Sequence, residues 1–348
     1  MKKVILILGI LTLCAVGFAE LSLTLDFSLE NTTYSMIAGG TFNFVTSKYY
    51  ACDYDDLVMP MGILNSDGTD AGTGLNVTGL TFGTLGVFCA AVDANGVIYA
   101  GGNEIAPATD CNLYRWANEA DAAPTQQAPA GAMFFRTMDL RGTGADTKIA
   151  STGTADDAPF QILGTSDGLN FTVLETVSGI IGIKHGITLN AAADIVYGQE
   201  GYDQAPVKAV KSGATWSGEL VTFLPNNTLL RGPTNLAYWE DMDILFCLSG
   251  RGASGAPLDP KDFLSAIDGT SGAFITKASI ELNVDAVGYS KIDIKCPDTT
   301  GGEARIIARN GANNGYVAAR VIISNPTPTP PTPTPIITLA NSSWGLYE

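Results

Sequence analysis

The sequence has little positive charge and almost no histidine. It contains 19 Lys and Arg residues against 35 Asp and Glu residues, which gives a formal net charge of −16. A field of this sign repels phosphate backbones and anionic lipids, so we exclude nucleic acid and membrane surfaces as partners. The sequence around the one histidine, His185, supplies neither a nucleophile nor a carboxylate. We therefore interpret His185 as a structural or channel-lining residue and predict no catalytic residue.

Cysteine spacing of the zinc-binding kind is also missing. No CxxC pair and no Cys/His cluster occurs, so no metal site is predicted from the cysteines. Cys89 and Cys111 are the closest-spaced pair and form a candidate disulfide, because an exported protein can oxidise its thiols. The alternative is that the cysteines are small buried apolar residues of strands.

Long apolar runs are absent except at the N-terminus. Lys2 and Lys3 precede the apolar run 4–16, which is too short to span a bilayer, and Ala19 ends a pattern of small residues suited to cleavage. We therefore predict a secretory signal peptide at residues 1–19. The remaining chain is expected to be secreted or displayed at the cell surface, without membrane insertion.

Helical periodicity is scarce, and strand patterns replace it. Short runs of Val, Ile, Phe, Tyr and Thr alternate with clusters of Gly, Asn, Asp and Ser, which is typical of antiparallel strands. A strand, a polar turn and a second strand recur about every 45 to 55 residues, the length of a four-stranded propeller blade. The recurring segments are 43–54, 87–102, 135–153, 185–201, 234–250 and 289–311.

A second hairpin follows the middle copies, at residues 160–175, 207–221 and 263–278. Glycine in these turns provides the positive φ that tight hairpins need. Two hairpins in each repeat indicate four-stranded blades. We therefore predict an all-β fold, a six-bladed β-propeller over residues 20–324, with seven blades as the alternative.

The segment after the signal peptide has the pattern of a half-buried strand. Apolar residues alternate with polar ones at Leu21, Leu23, Leu25, Phe27 and Leu29. The last repeat ends with a third strand at 316–324 and no fourth, so we predict that the N-terminal strand closes the ring. The alternative is exchange, in which this strand pairs with another copy and links subunits into a filament.

The chain resembles secreted bacterial β-propellers of the NHL and kelch-like kind. The residues that carry the resemblance are "VDANGVIYAGG" at 92–102, with an Asp, a turn Gly and an aromatic strand. The resemblance extends over roughly residues 21–324. It implies the fold and no activity, because propellers include scaffolds, lectins and enzymes.

The C-terminal segment differs from the body. Residues 325–335 are rich in Pro and Thr, which predicts an extended polyproline II linker of roughly 30 Å. Candidate O-glycan sites on this linker are Thr327, Thr329, Thr332 and Thr334. Residues 336–348 are predicted to be an interaction or anchoring tail, with a frayed terminus as the alternative. The candidate contact residues of the tail are Ile336, Ile337, Leu339, Trp344 and Tyr347.

Two other residue groups suggest binding chemistry. No cofactor is predicted, but calcium stays an alternative because carboxylates occur at turns, none with EF-hand spacing. These turns are 54–56, 93–96, 155–157 and 240–243. Trp116, Trp216 and Trp239 suit stacking on sugar rings or packing inside blades.

Taken together, these features predict a non-enzymatic extracellular structural or interaction protein. Its expected partners are other copies of itself, or a cell-surface or export component, bound through the termini. A subunit of a surface filament or matrix is the sharper version of this prediction. The first alternative is a lectin-like propeller that binds a glycan or another ligand at the channel mouth. The second is a polysaccharide hydrolase or lyase.

Overall fold

The computed structural model is a six-bladed β-propeller, which confirms the predicted all-β fold. Six four-stranded antiparallel sheets follow one another around a ring. Among the described residues, helix is limited to two single 3-10 turns at Gly144–Asp146 and Glu240–Met242. The structure describes residues 21–31, 37–53, 56, 59–82, 86–102, 111–132, 135–153, 159–180, 183, 186–199, 206–221, 233–249, 263–280, 290–309 and 315–326.

The first three blades follow chain order from the innermost strand to the outermost. Blade 1 contains β2 (Ile37–Asn43), β3 (Lys48–Asp53), β4 (Met61–Leu64) and β5 (Asp70–Gly74). Blade 2 contains β6 (Val87–Val92), β7 (Ile98–Gly102), β8 (Leu113–Trp116) and β9 (Thr125–Gln127). Blade 3 contains β10 (Thr137–Arg141), β11 (Lys148–Thr152), β12 (Phe160–Thr165) and β13 (Phe171–Val177).

The next two blades repeat this order, and the last one departs from it. Blade 4 contains β14 (Gly186–Leu189), β15 (Ile195–Gln199), β16 (Val207–Ser212) and β17 (Thr215–Leu220). Blade 5 contains β18 (Pro233–Trp239), β19 (Ile244–Ser249), β20 (Phe263–Asp268) and β21 (Phe274–Ser279). Blade 6 contains β22 (Ser290–Asp298), β23 (Gly301–Arg309), β24 (Tyr316–Ser324) and, as its outer strand, β1 (Ser22–Asn31).

The N-terminal strand closes the ring of its own chain. In β1, Leu23 is the register partner of Ile323 and Leu29 that of Ala318, both in β24. Leu21 and Leu23 are buried and pack, with Leu25, in the cluster shared with blade 5. A bulge between Leu25 and Phe27 turns Phe27 to the cluster shared with blade 1. The sheet that lacks a fourth strand from the C-terminal half therefore obtains one from the other end of the chain.

The apolar core is divided into six clusters of described residues, each shared by two neighbouring blades. Between blades 1 and 2, for example, Tyr50 and Met61 pack with Ile98 and Trp116. Each sheet thus buries apolar side chains on both faces, and burying one such side chain contributes roughly 1.5–3 kcal/mol. The inner strands contact their neighbours around the whole ring. Stability is consequently distributed around the ring, with no single centre.

Aspartate residues order the outer hairpins. In blade 3, Asp167 accepts hydrogen bonds from the amides of Leu169 (2.8 Å) and Asn170 (2.7 Å). Asp67 and Asp268 accept turn amides in the same way in blades 1 and 5. A carboxylate that takes the turn amides lets the chain reverse in few residues. These turns explain the recurring Asp-Gly pairs of the outer hairpins.

The candidate disulfide between Cys89 and Cys111 is wrong, because no bond joins these two described residues. Cys89 lies on β6, whereas Cys111 lies two residues before β8, with β7 between the two strands. Two strand spacings amount to roughly 9.5 Å, which exceeds the separation that a disulfide spans. The Cys89 thiol instead donates to the carbonyl oxygen of Phe135 at 3.2 Å. Burial raises the pKa of the Cys89 thiol to about 12, so it is unreactive.

Apolar helices suited to crossing a membrane are absent from the described residues.

Candidate functional site

A cavity opens where inner strands end around the axis of the ring. It has a volume of about 370 Å³ and is lined by β2, β6, β10, β18 and β22 or the turns that follow them. Its ionisable lining residues are Asp93, Asp139, Arg141, Glu240, Asp293 and Lys295. Its aromatic lining residues are Phe42, Phe44, Tyr238 and Trp239. We call this cavity the mouth cavity. Volumes of roughly 300–1,000 Å³ with a few polar groups on apolar walls are typical of small-molecule sites.

The floor of the mouth cavity is an ion pair that crosses the channel. Lys291 of blade 6 lies 3.0 Å from Asp139 of blade 3, the blade opposite in the ring. The Lys291 ammonium also donates to the carbonyl oxygen of Met138 at 2.9 Å. Both charged side chains are buried, at 4% and 9% exposure. The pair therefore fills the axis of the channel beneath the cavity.

Asp139 has further partners that keep it ionised. Arg141 lies 3.0 Å from its carboxylate, and the Thr188 hydroxyl donates to it at 2.8 Å. Burial alone would raise the pKa of Asp139, but Arg141 and Lys291 hold this pKa at about 2. The carboxylate is thus a fixed structural anion. It is not a base available for proton transfer near neutral pH.

Asp293, another carboxylate of the cavity, has a raised pKa, whereas that of Asp139 is lowered. Its Oδ2 accepts hydrogen bonds from the Thr41 hydroxyl (3.0 Å) and the Phe42 amide (2.7 Å). Burial raises the pKa of Asp293 to about 6, against the lowering effect of Lys291. The residue remains partly exposed, through the cavity that it lines. Asp293 therefore changes its charge close to physiological pH, with solvent access.

Two buried polar atoms beside the cavity have no hydrogen-bond partner among the described residues. Asp93 is 4% exposed, and its Oδ1 accepts from the amides of Asn95 (2.9 Å) and Val97 (2.8 Å). Its Oδ2 accepts nothing, and the indole N–H of Trp239 donates to nothing. Buried polar groups are normally satisfied, and leaving one without a partner costs about 1–3 kcal/mol. Both residues line the cavity, and Trp239 also packs in the core between blades 5 and 6.

The rim of the cavity combines exposed apolar side chains with the exposed charge of Lys295. Val45 is 60% exposed and Phe44 is partly exposed, although both are apolar. The Lys295 ammonium lies 5.8 Å from the centroid of the Phe44 ring. An exposed apolar rim over a polar floor is the layout of a site that receives a ligand from solvent.

The structure describes the N-terminal residues that were predicted to make contacts but not the C-terminal ones. Leu23, Leu25, Phe27 and Leu29 lie in β1, which closes the ring, and Leu21 precedes it directly. The signal peptide, the tail contact residues, the threonines of the linker and His185 lie outside the described residues. Those predictions about the tail, O-glycans and processing stay predictions.

The three tryptophans proposed for sugar stacking have different environments. Trp116 is buried and its indole N–H donates to the carbonyl oxygen of Asn76 at 2.6 Å, so it is a packing residue. Trp216 donates to Glu175 at 2.6 Å on an outer strand. Only Trp239 of these three lines the mouth cavity.

Calcium remains a prediction without a described site. No group of three or more His, Cys, Asp or Glu residues suited to hold a metal occurs in the part of the chain that the structure describes. Of the acidic turns, 93–96 and 240–243 border the mouth cavity, where Asp93 and Glu240 line it.

The sequence interpretation missed the floor of the cavity. Lys291, Asp293 and Lys295 alternate along β22, and Asp139 and Arg141 alternate along β10. Charges at every second position of an inner strand point to one face. This pattern in otherwise apolar strands was the available signal for channel-lining residues.

Comparisons with known proteins support the fold. No protein-family model and no curated protein sequence matches the chain. Among solved structures, a protein of unknown function from Dyadobacter fermentans is 12% identical, with a TM-score of 0.57, over 86% of this chain and 99% of that one. A luciferin-regenerating enzyme is 12% identical, with a TM-score of 0.51, over 86% of this chain and 96% of that one. An auxiliary nutrient binding protein from Bacteroides ovatus is 8% identical, with a TM-score of 0.51, over 88% and 77%.

Proposed function

We propose that this protein is an exported, non-enzymatic binding propeller that holds a small polar ligand in the mouth cavity. The proposal includes the predicted signal peptide, the extracellular location and the likeness to NHL and kelch-like propellers. The observation that carries it is a solvent-accessible cavity of about 370 Å³ beside two buried polar atoms that no described residue satisfies. A bound ligand would satisfy them and offset their cost.

The construction of the floor supports binding at one end of the channel. The Asp139–Lys291 pair joins opposite blades, so it fixes the cavity walls relative to one another. A wall that is already ordered before binding loses little conformational entropy on binding. This preorganisation suits a specific small-ligand site.

The ionisable groups favour binding over catalysis. Asp139 is held by two cations, and Asp293 already accepts two hydrogen bonds. The stretch 164–168 fits a GxSxG pattern, but it forms the turn between β12 and β13 with Ser166 exposed. A nucleophile elbow requires a strand followed by a helix. We therefore propose no reaction for this site.

The test is a ligand-observed NMR screen of chemically diverse small molecules against the full chain. Ala94→Trp places a large side chain at the exposed cavity rim, and Ala122→Trp makes the same change on the outer hairpin of blade 2. We expect compounds that bind the wild type and Ala122→Trp but lose most of their affinity for Ala94→Trp. If every compound binds both variants equally, or none binds the wild type, the site is wrong. Turnover of a bound compound that disappears in Asp293→Asn would overturn the non-enzymatic role.

We also propose association with other copies or a surface component through the C-terminal tail. The support is that β1 is committed to its own ring, which leaves the other terminus for contacts. Asn325 fixes the point where the chain leaves blade 6, because its amide donates to Thr300 at 2.7 Å and its side chain to Thr299 at 2.6 Å. Deleting residues 327–348 is expected to abolish assemblies seen by electron microscopy. Identical particles with and without these residues would contradict tail-mediated association.

A further inference from the structure

We propose that the mouth cavity selects a neutral, hydroxyl-rich molecule, a small saccharide or polyol, over organic cations and anions. This inference rests on the proposed binding function and specifies its ligand class. It follows from three properties of the cavity: its net charge, the types of its unsatisfied polar atoms and its aromatic walls.

The charge of the cavity argues against anionic ligands. Its lining holds four carboxylates and two cations, Arg141 and Lys295, and the Lys291 ammonium of the floor is paired with Asp139. Arg141 is engaged with Asp139, and Lys295 is at the exposed rim. The chain as a whole carries a formal charge of −16, which adds a repulsive field. A phosphate or a carboxylate would therefore enter against the local and the overall charge.

The unsatisfied atoms argue against simple ammonium ligands. The free lone pairs on Asp93 Oδ2 require a hydrogen-bond donor, whereas the Trp239 indole N–H requires an acceptor. An alkylammonium ion has donors but no acceptor, and a quaternary ammonium ion has neither. A hydroxyl group donates one hydrogen bond and accepts two. A molecule with several hydroxyls therefore offers a suitable partner to either atom.

The aromatic walls suit the apolar face of a sugar ring. Phe42 and Phe44 pack edge to face, with ring centroids 5.0 Å apart and an interplanar angle of 72°. Both residues line the cavity beside the turn that carries Asp93, since Asn43 between them donates to the carbonyl oxygen of Gly96 at 3.1 Å. Phe44 is the more accessible ring, because Phe42 is buried with the Arg305 guanidinium 4.4 Å from its centroid. Aromatic surface contributes contact area without requiring hydrogen bonds from the C–H groups that cover it. A ligand with hydroxyls at its edge and C–H groups on its face matches both surfaces.

The test is calorimetric titration of the full chain with D-glucose, myo-inositol, tetramethylammonium chloride and inorganic phosphate. We expect binding of at least one of the two hydroxyl-rich probes and none of the two ions at the same concentration. Trp239→Phe removes the indole donor and should weaken binding about tenfold, as for one lost hydrogen bond in a desolvated site. Asp93→Asn should weaken it by a similar factor, because a hydrogen bond to a carboxylate is stronger than one to an amide.

Asp67→Asn is the matched control, because Asp67 also accepts turn hydrogen bonds from Thr69 but lies on an outer hairpin. The Asp67→Asn variant should bind the hydroxyl-rich probe with the affinity of the wild type. If tetramethylammonium or phosphate binds at the cavity and both hydroxyl-rich probes fail, the ligand class is wrong while the binding function stands. If a hydroxyl-rich probe binds equally to Trp239→Phe and Asp93→Asn, the assigned contacts are wrong. If no compound of the diverse screen binds at the cavity either, the proposed function fails as well.

Discussion

The two ends of the central channel differ in the volume of the cavity that the described residues form there. At the mouth, the ends of the inner strands surround about 370 Å³. At the opposite end, where β2, β6, β10 and β22 begin, a cavity among the described residues has a volume of about 10 Å³, room for roughly one water molecule. Gly39 and Gly40 of β2 line the small cavity, whereas Phe42 and Phe44, further along the same segment, line the mouth cavity.

The Asp139–Lys291 pair separates these two ends, so the largest effect is expected from breaking it. Lys291→Met leaves a buried carboxylate with Arg141 as its one remaining cation. Removing one partner of a buried pair is strongly destabilising, and we expect a loss of about 3 kcal/mol in the free energy of unfolding. Urea denaturation at pH 7 measures this loss.

A surface pair provides the control for this prediction. Lys48 and Glu119 lie 2.8 Å apart with exposures of 35% and 21%, and Lys48→Met should cost less than about 1 kcal/mol. The double variant Lys291→Met with Asp139→Leu should regain part of the lost stability, because it leaves no unpaired anion. Equal losses for Lys291→Met and Lys48→Met would mean that the floor contributes no more than the surface does.

An intermediate effect is expected from adding a methyl group at Gly40, which lines the small cavity at the opposite end. A Cβ on Gly40 would lie 2.8 Å from Ile307 Cγ2 and closer still to the Tyr50 carbonyl oxygen. Gly40→Ala should therefore destabilise the fold by about 1–3 kcal/mol through overpacking. At the mouth, the larger change Ala94→Val meets open space and should stay within about 0.5 kcal/mol. Thermal denaturation of both variants compares the two ends directly. A Gly40→Ala variant as stable as the wild type would contradict the predicted overpacking.

The last prediction concerns the pH dependence of stability, which Asp293 at the mouth should dominate. The pKa of Asp293 is about 6 in the folded protein against an ordinary value of 3.8, so the folded state holds the extra proton. Stability from this group is present below about pH 4 and is lost as the pH rises through 6. Asp139 acts in the opposite sense, because its pKa of about 2 removes stability only as the pH falls below about 4.

Asp293→Asn keeps an acceptor for Thr41 and Phe42 without a titrating group. We expect this variant to have a flatter stability profile between pH 4 and pH 7 and to be more stable than the wild type at pH 7. Asp67→Asn, on the exposed outer hairpin, should leave the slope in this window unchanged. Urea midpoints at four pH values measure the profiles. Parallel curves for the wild type and Asp293→Asn would contradict the assignment of this titration.

The alternation of apolar residues along the strands made the fold predictable. The mouth cavity could not be predicted in this way, because its residues are brought together only by the ring. The alternation from Leu21 to Leu29 and the unfinished last repeat were enough to predict β1 as the closing strand. Each predicted hairpin was a local pattern with its own turn residues. The cavity instead joins Asp93, Asp139, Trp239 and Asp293, which come from four blades. Their proximity depends on how strands converge around an axis, and no local pattern encodes it.

The disulfide prediction failed for the same reason. Spacing along the chain suggested Cys89 and Cys111 as partners, but β7 runs between their positions. In a four-stranded blade, residues about twenty apart are commonly two strands apart. Sequence distance is therefore a poor guide to side-chain distance wherever hairpins are consecutive.

The seam between β1 and β24 determines the order in which the molecule can be built. Because β1 pairs with β24, blade 6 can be completed only after residues 316–324 have been synthesised. The earlier blades do not depend on this step. Until then β24 lacks a neighbour on one side, and unpaired strand edges promote association between chains. Long-range pairing of this kind slows folding. The nascent chain must consequently stay apart from its neighbours until both ends meet.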